Sequence, residues 1–259
     1  MCTTCGCSGE RPDDSPGFVL DLRGKGAAAA PPPPSNLERE EKSRRILLEQ
    51  AILDKNRRIA ERNRGWFANQ SVAAINLLSA PGSGKTTLLE RTVRQRGDAL
   101  GIRVIEGDQA TSLDADRIAA AGAQVLQVNT GTGCHLDAEM IERALAELRP
   151  ARSSCLFIEN VGNLVCPALF DLGERRRVVI AAVTEGEDKP LKYPHMFRGC
   201  DLVLLNKIDL LPYVPFDVRR FESHLRTVNP HARMLPLSAL NGDGMDAWYG
   251  WLEREQTGS

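Results

Sequence analysis

The sequence has almost no net charge, no long apolar run and no leader-like start, and each lack excludes something. Across 259 residues, 33 Lys and Arg meet 34 Asp and Glu, leaving a formal net charge of -1. A chain so balanced exerts no long-range pull on nucleic acid or an anionic membrane, so nucleic acid is not an expected partner. The longest apolar runs, such as Val178 to Val183, fall far short of the roughly 18 residues needed to cross a bilayer, and no membrane segment is expected. The first residues, Met1-Cys2-Thr3-Thr4-Cys5-Gly6-Cys7, show neither a basic stretch nor an apolar one after it. They do not read as a secretory signal, and the expected location is cytoplasmic. Nothing repeats at a fixed period.

What is present is ample for a folded core: 42% of the residues are hydrophobic. Cysteine is odd in number at seven, with three in the first seven residues. In a reducing compartment such cysteines read as metal ligands or buried thiols rather than disulfide partners. Residues 8–35 are rich in Gly, Pro, Ser and Asp and end in Ala27 to Ala30 followed by Pro31 to Pro34. That composition cannot bury enough apolar surface to fold, so 8–35 is expected to be a flexible linker stiffened by a polyproline spacer.

From Asn36 to Arg64 the chain lacks Gly and Pro, Ser35 or Asn36 can cap its start, and Leu48, Ile52 and Ile59 recur at spacings of four and seven. This predicts an amphipathic helix over 36–65, its charged faces simply solvated. Beyond Gly65, short aliphatic runs alternate with helical stretches: 72–78, 103–106, 124–128, 155–158, 178–183, 202–205 and 234–237. Strands separated by helix-length crossovers predict an α/β domain over 66–259, an open and mainly parallel sheet flanked by helices.

The first strand runs into Ser79-Ala80-Pro81-Gly82-Ser83-Gly84-Lys85-Thr86-Thr87 and then a helix-forming stretch. Strand, Gly-rich loop and helix in that order make a phosphate loop. Backbone N–H groups around Gly82, Ser83 and Gly84 close on phosphate oxygens, Lys85 reaches the β and γ phosphates, and Thr86, followed by Thr87, offers a hydroxyl to Mg²⁺. Ser79 stands where the strict motif has Gly. Asn206-Lys207-Ile208-Asp209 follows the sixth strand, where strand-end loops form the ligand crevice of such sheets. Its Asp209 carboxylate can accept from guanine N1 and N2, a pairing adenine cannot offer. The Ser238-Ala239 turn after the last strand is placed to meet the guanine carbonyl through the Ala239 backbone, and the expected nucleotide is GTP or GDP. Asp108 and Glu159 each follow a strand and bring carboxylates toward Mg²⁺, while Gly162 can rearrange when the γ-phosphate is lost. Lys85, Asp108 and Glu159 are the expected catalytic set.

Two thiolate clusters suggest soft or borderline metals such as nickel or zinc. Cys2, Cys5 and Cys7, with Gly6 easing the turn, can converge on one ion. Cys134, His135 and Cys166 supply three ligands of a tetrahedral site that water or a second chain would complete. Cys166 shares its segment with the proposed switch, so phosphate loss could move a metal ligand. Cys155 and Cys200 lie in or beside apolar strands and are expected in the core.

Together these pieces resemble the HypB family of nickel-inserting GTPases in NiFe-hydrogenase maturation. The motifs that carry the resemblance are Cys2-x-x-Cys5-Gly6-Cys7, Pro81 to Thr87, Gly107-Asp108-Gln109-Ala110-Thr111, Gly133-Cys134-His135-Leu136-Asp137, Glu159 to Pro167 and Asn206-Lys207-Ile208-Asp209. It implies slow, switch-like GTP hydrolysis, GTP- or metal-dependent homodimers, and a nickel or zinc site at Cys134, His135 and Cys166. It also implies a HypA-type nickel accessory partner and delivery to a hydrogenase large-subunit precursor. Many relatives carry a His-rich nickel store before the GTPase domain; the linker here has no His at all, so delivery is expected and storage is not. The segment 185–194, with Lys189 and Lys192, resembles the family's dimer region beside the nucleotide. The UreG urease-accessory GTPases share the phosphate loop and guanine motif but carry Cys-Pro-His at the metal position. A third reading is a metal-storing or metal-sensing protein whose GTPase domain is a non-hydrolysing scaffold; intact Lys85, Thr86 and Asp209 oppose it.

Overall fold

The computed structural model describes residues 36–258 apart from 109–111, 132 and 134. The cysteine motif at 1–7, the linker at 8–35 and Cys134 lie outside the described residues. Seven strands, β1 (Ala73–Ser79), β2 (Arg103–Asp108), β3 (Gln124–Asn129), β4 (Cys155–Glu159), β5 (Arg176–Ala182), β6 (Leu202–Asn206) and β7 (Arg233–Pro236), form one sheet. Its order is β3-β2-β4-β1-β5-β6-β7, and every neighbouring pair is parallel. The expected sheet is therefore present and wholly parallel.

Parallel strands need crossovers, which place helices on both faces. The helices are α1 (Asn36–Gln70), α2 (Lys85–Leu100), α3 (Leu113–Ala120), α4 (Ala138–Leu148), the short α5 (Cys166–Leu169), α6 (Lys189–Lys192) and α7 (Pro194–Arg198), then α8 (Val218–Val228) and α9 (Met245–Thr257). Covered on both faces, β1 and β4 are buried along their whole length, which is why their sequences read as mostly apolar runs rather than alternations, with the buried Asn76 the polar exception inside β1. On one face Leu88, Leu89 and Val93 of α2 pack with Trp248 and Leu252 of α9 over Ile75, Leu77 and Phe157. On the other, Phe67 of α1 and Ile141 and Leu145 of α4 cover Ala74, Ile105 and Ile158, while Phe197 and Phe221 close the β5–β6 side. Each such fully buried aliphatic or aromatic side chain contributes about 1.5–3 kcal/mol.

The N-terminal helix departs from expectation in extent and in its buried face. It continues through Gly65 to Gln70 and ends at Ser71, which takes a left-handed φ of 55°. Leu48 and Ile52 are exposed, while Ile59, Ala60 and Phe67 are buried. Among the described residues the helix docks through its C-terminal half, where Asn56 Nδ2 donates to the Asp171 carbonyl (2.7 Å) and Asn63 Nδ2 donates to those of Ala138 (2.9 Å) and Leu172 (3.1 Å). Among the described residues no helix is long and apolar enough to cross a membrane.

Candidate functional site

The order of the strands puts a switch point at β1: the chain leaves β1 for β2 on one side and later returns to β5 on the other. The crevice beyond such a point is where open α/β sheets bind ligands. A cleft of about 630 Å³ opens there, lined by the loop from Ser79 to Thr87 together with Asp108, Asp114, Arg117, Val161, Gly162 and Lys207. The expected phosphate-loop residues are therefore all in one place. Gly84, the residue before α2, has a φ of 94°, and a Cβ there would lie 2.5 Å from Asn206 Nδ2. Only glycine supplies both the left-handed backbone and the room. α2 then starts at Lys85, so its unpaired N–H groups and positive end face the cleft.

Lys85 Nζ donates to the Asn160 carbonyl at 2.5 Å and pairs with Glu159 Oε1 at 3.3 Å. Thr86 Oγ1 donates to the same Glu159 oxygen at 3.1 Å. Glu159 is almost wholly buried, and burial pushes its carboxyl upward despite the opposing Lys85 ammonium. Glu106 sits opposite it in the β2–β4 register, also buried, and burial with the neighbouring Glu159 and Asp108 charges pushes it up to about 8. One carboxyl oxygen of each, Oε2, is buried without a hydrogen-bond partner. Two such oxygens side by side are costly unless they are protonated or meet a cation.

A divalent cation fits this donor set. No group of three His, Cys, Asp or Glu among the described residues is arranged to hold a metal alone. Mg²⁺ in phosphate sites does not require one: it takes one or two carboxylates, a hydroxyl, waters and the phosphates themselves.

At the base end, Asn206 ties three loops together. Its Nδ2 donates to the Ser83 carbonyl (2.8 Å), and its Oδ1 accepts from the Lys207 N–H (2.8 Å) and the Ala239 N–H (3.0 Å). Lys207, in a left-handed conformation with φ of 63°, donates Nζ to the Gly82 carbonyl at 2.7 Å. The Ala239 N–H, expected to face the guanine carbonyl, is thus engaged by Asn206, because the motif's first residue braces the turn from below. Ser238 organises that turn, its N–H donating to the Asp243 carbonyl and its Oγ accepting from the Asn241 N–H. Asp209 Oδ1 is buried and has no hydrogen-bond partner, and Asp209 does not line the cleft, which Lys207 does.

The expected internal metal ligands are placed in part. Cys166 opens α5 and is buried. The His135 ring stacks on Phe170, the residue that ends α5, with centroids 3.9 Å apart, so His135 lies against the short segment that Cys166 begins. Burial lowers its pKa, which favours the neutral imidazole that binds metals. Gly162 packs on the phosphate loop, and a Cβ there would come 3.4 Å from Pro81. Lys189 pairs with Glu185 (3.3 Å) and Lys192 with Asp188 (2.6 Å). Cys155 and Cys200 are core residues as expected.

Sequence reasoning passed over Glu106, Asp114 and Arg117. A carboxylate directly after the apolar Val104 and Ile105 of β2 was the available signal for Glu106. Asp114 and Arg117 reach the cleft from one face of α3, where Arg117 pairs with Glu90 and lies 3.5 Å from Thr87 Oγ1; nothing local marks them.

Residues 73–236 match the family model described as CobW/HypB/UreG, nucleotide-binding domain. The hydrogenase maturation factor HypB of Escherichia coli K12 is 56% identical over 214 residues, covering 82% of this chain and 74% of that protein. The crystal structure of HypB from Archaeoglobus fulgidus superposes with a TM-score of 0.74 at 38% identity, over 79% of this chain and all of that one. That of HypB from Helicobacter pylori in complex with nickel gives 0.73 at 34% identity, over 79% and 96%. With its nucleotide-binding domain matched and its identity to these factors sustained over most of its length, the chain belongs to the HypB family of hydrogenase maturation factors.

Proposed function

We propose that this chain is a GTP-hydrolysing nickel metallochaperone that delivers nickel to the large subunit of NiFe-hydrogenase during maturation, releasing the metal as its nucleotide state changes. The observation that carries the coupling is the short stretch 159–166. It begins at Glu159, which holds Thr86 and Lys85 of the phosphate site, passes Gly162 against Pro81, and ends at the buried Cys166. A change at the phosphate end has seven residues to travel before it reaches a thiolate. The nickel in the related Helicobacter pylori structure supports nickel as the cargo; zinc suits the same donors.

In this reading the α2 N-terminus and the loop N–H groups bind the phosphates, Asn206 and Lys207 brace the loop, and Asp209 selects guanine. Lys85 moves from the Asn160 carbonyl to the β and γ phosphates. Mg²⁺, when bound, would be held by Thr86, Asp108 and Glu159 and would neutralise charge developing on the phosphates. Loss of the γ-phosphate frees Glu159 and the Gly162 turn to shift, and Cys166 with them, weakening the grip of Cys134, His135 and Cys166 on the metal. Cys2, Cys5 and Cys7 form a separate N-terminal metal site. Homodimerisation on GTP or metal binding, a HypA-type partner and cytoplasmic action complete the proposal.

The test is GTP turnover by the full chain with Mg²⁺, with and without nickel, beside Lys85→Ala. Slow turnover is expected in the wild type. The variant should lose nucleotide affinity on the order of a hundredfold, as expected when a charge-assisted contact worth about 3 kcal/mol is removed. No turnover under any condition, or unchanged GTP affinity in Lys85→Ala, overturns the enzyme reading.

A further inference from the structure

Two side chains from other elements hold the Ala239–Leu240 turn. One is Asn206. The other is Arg91, which comes from the helix that carries the phosphate loop. Arg91 Nε donates to the Ala239 carbonyl at 2.8 Å and Nη2 donates to the Leu240 carbonyl at 2.6 Å. A third point of fit is Gly242, whose φ is 102° and whose added Cβ would fall 2.7 Å from Arg91 Nη1. The guanidinium thus lies flat along the turn, reaching two successive carbonyls in the fork geometry that Arg has and Lys lacks.

We infer that Arg91 is a positioning residue for base recognition, holding the Ala239–Leu240 turn so that it presents a fixed N–H to guanine. The inference rests on the GTP reading above. In a trans peptide the carbonyl and the following N–H point in opposite directions. With the Ala239 and Leu240 carbonyls drawn to α2, the N–H groups of Leu240 and Asn241 face away from it. The Asn241 N–H reaches Ser238 Oγ and the Ala239 N–H is taken by Asn206. The Leu240 N–H is therefore the donor this turn offers to a base. A fixed donor there suits the carbonyl O6 of guanine and opposes the amino group adenine carries at the same place, complementing the Asp209 carboxylate.

Arg91 stands six residues after Lys85, about 9 Å along the helix axis. One rigid element therefore bears the phosphate-binding end and the clamp on the base-reading turn. α2 is itself held against α9 by the Trp248 indole, whose Nε1 donates to Thr92 Oγ1 at 3.0 Å. Phosphates and base are read in fixed relation because the same helix sets both.

The experiment compares full-length wild type, Arg91→Ala and Arg91→Lys, titrating GDP and ADP in Mg²⁺ buffer and measuring GTP turnover. Arg91→Ala should bind GDP about tenfold more weakly, roughly the worth of one or two hydrogen bonds. ADP, which leans on the phosphate loop alone, should bind as before, so the GDP-to-ADP preference falls. KM for GTP should rise by the same factor with kcat at saturation unchanged, and Arg91→Lys should fall between; the Lys variant carries the comparison if the Ala variant does not fold. GDP affinity within twofold of wild type, or equal losses for GDP and ADP as a merely structural tie would give, overturns the assignment. A wild type with no preference for GDP over ADP sinks the guanine reading on which it rests.

Discussion

Single residues divide into those whose role is visible in their own neighbourhood of sequence and those made functional by distant contacts. Lys85, Thr86 and Asp209 belong to the first kind: each sits in a short motif whose chemistry is local, and the cleft gathers the phosphate loop as expected. Glu106 and Arg91 belong to the second. Glu106 matters because the parallel register sets it beside Glu159, 53 positions on in the chain, and Arg91 because it meets carbonyls 148 and 149 positions away. The cysteines show how environment sorts one residue type. Burial pushes the Cys155 and Cys200 thiols up to about 12, so both stay protonated far above neutral pH and neither is a nucleophile. Peptide mapping after treatment with iodoacetamide at pH 7 to 9 should find both unmodified in the folded protein and both modified after unfolding. Modification of either in the folded state within minutes at pH 8 would contradict their placement in the core.

At the level of elements, the strands were legible because both sheet faces are covered, which forces mostly apolar runs in β1, β4 and β6. The docking of α1 was not. Its periodicity announced an apolar stripe, but periodicity does not say which turns meet a partner, and the turns bearing Leu48 and Ile52 meet none that buries them. Besides the buried Ile59, Ala60 and Phe67, the helix is fixed by polar contacts. Asn63 is buried and its amide serves two carbonyls of other segments, and Asn56 also accepts from the Ala138 N–H at 2.8 Å. Removing the Asn63 side chain loses two buried hydrogen bonds at about 1–1.5 kcal/mol each, and more where a carbonyl is left unpaired. Urea unfolding should show Asn63→Ala less stable by about 2–4 kcal/mol, with Leu48→Ser within about 0.5 kcal/mol of wild type. Equal stability of Asn63→Ala and wild type would mean that α1 is not held to the domain by these bonds.

For the whole molecule, the sheet order does most of the positioning. With β1 at the switch point between β4 and β5, the loops after β1, β2, β4 and β6 converge on one crevice. Alternating strands and helices made a parallel sheet legible, but the order of its strands is a property of three-dimensional packing. The consequence for function is proximity: the phosphate loop, Asp108, Asp114 and the Gly162 turn share that crevice, and the turn leads directly to Cys166. In the proposed function this is the route that links nucleotide state to metal grip, and linkage is reciprocal. The measurement that reaches the central claim most directly is an equilibrium Ni²⁺ titration of the full chain bound to GDP and to a non-hydrolysable GTP analogue, with Cys166→Ser alongside. The expected result is a nickel affinity at the internal site that differs about fivefold or more between the two nucleotide states and loses that difference in Cys166→Ser. Equal nickel affinity in both states of the wild type would contradict it.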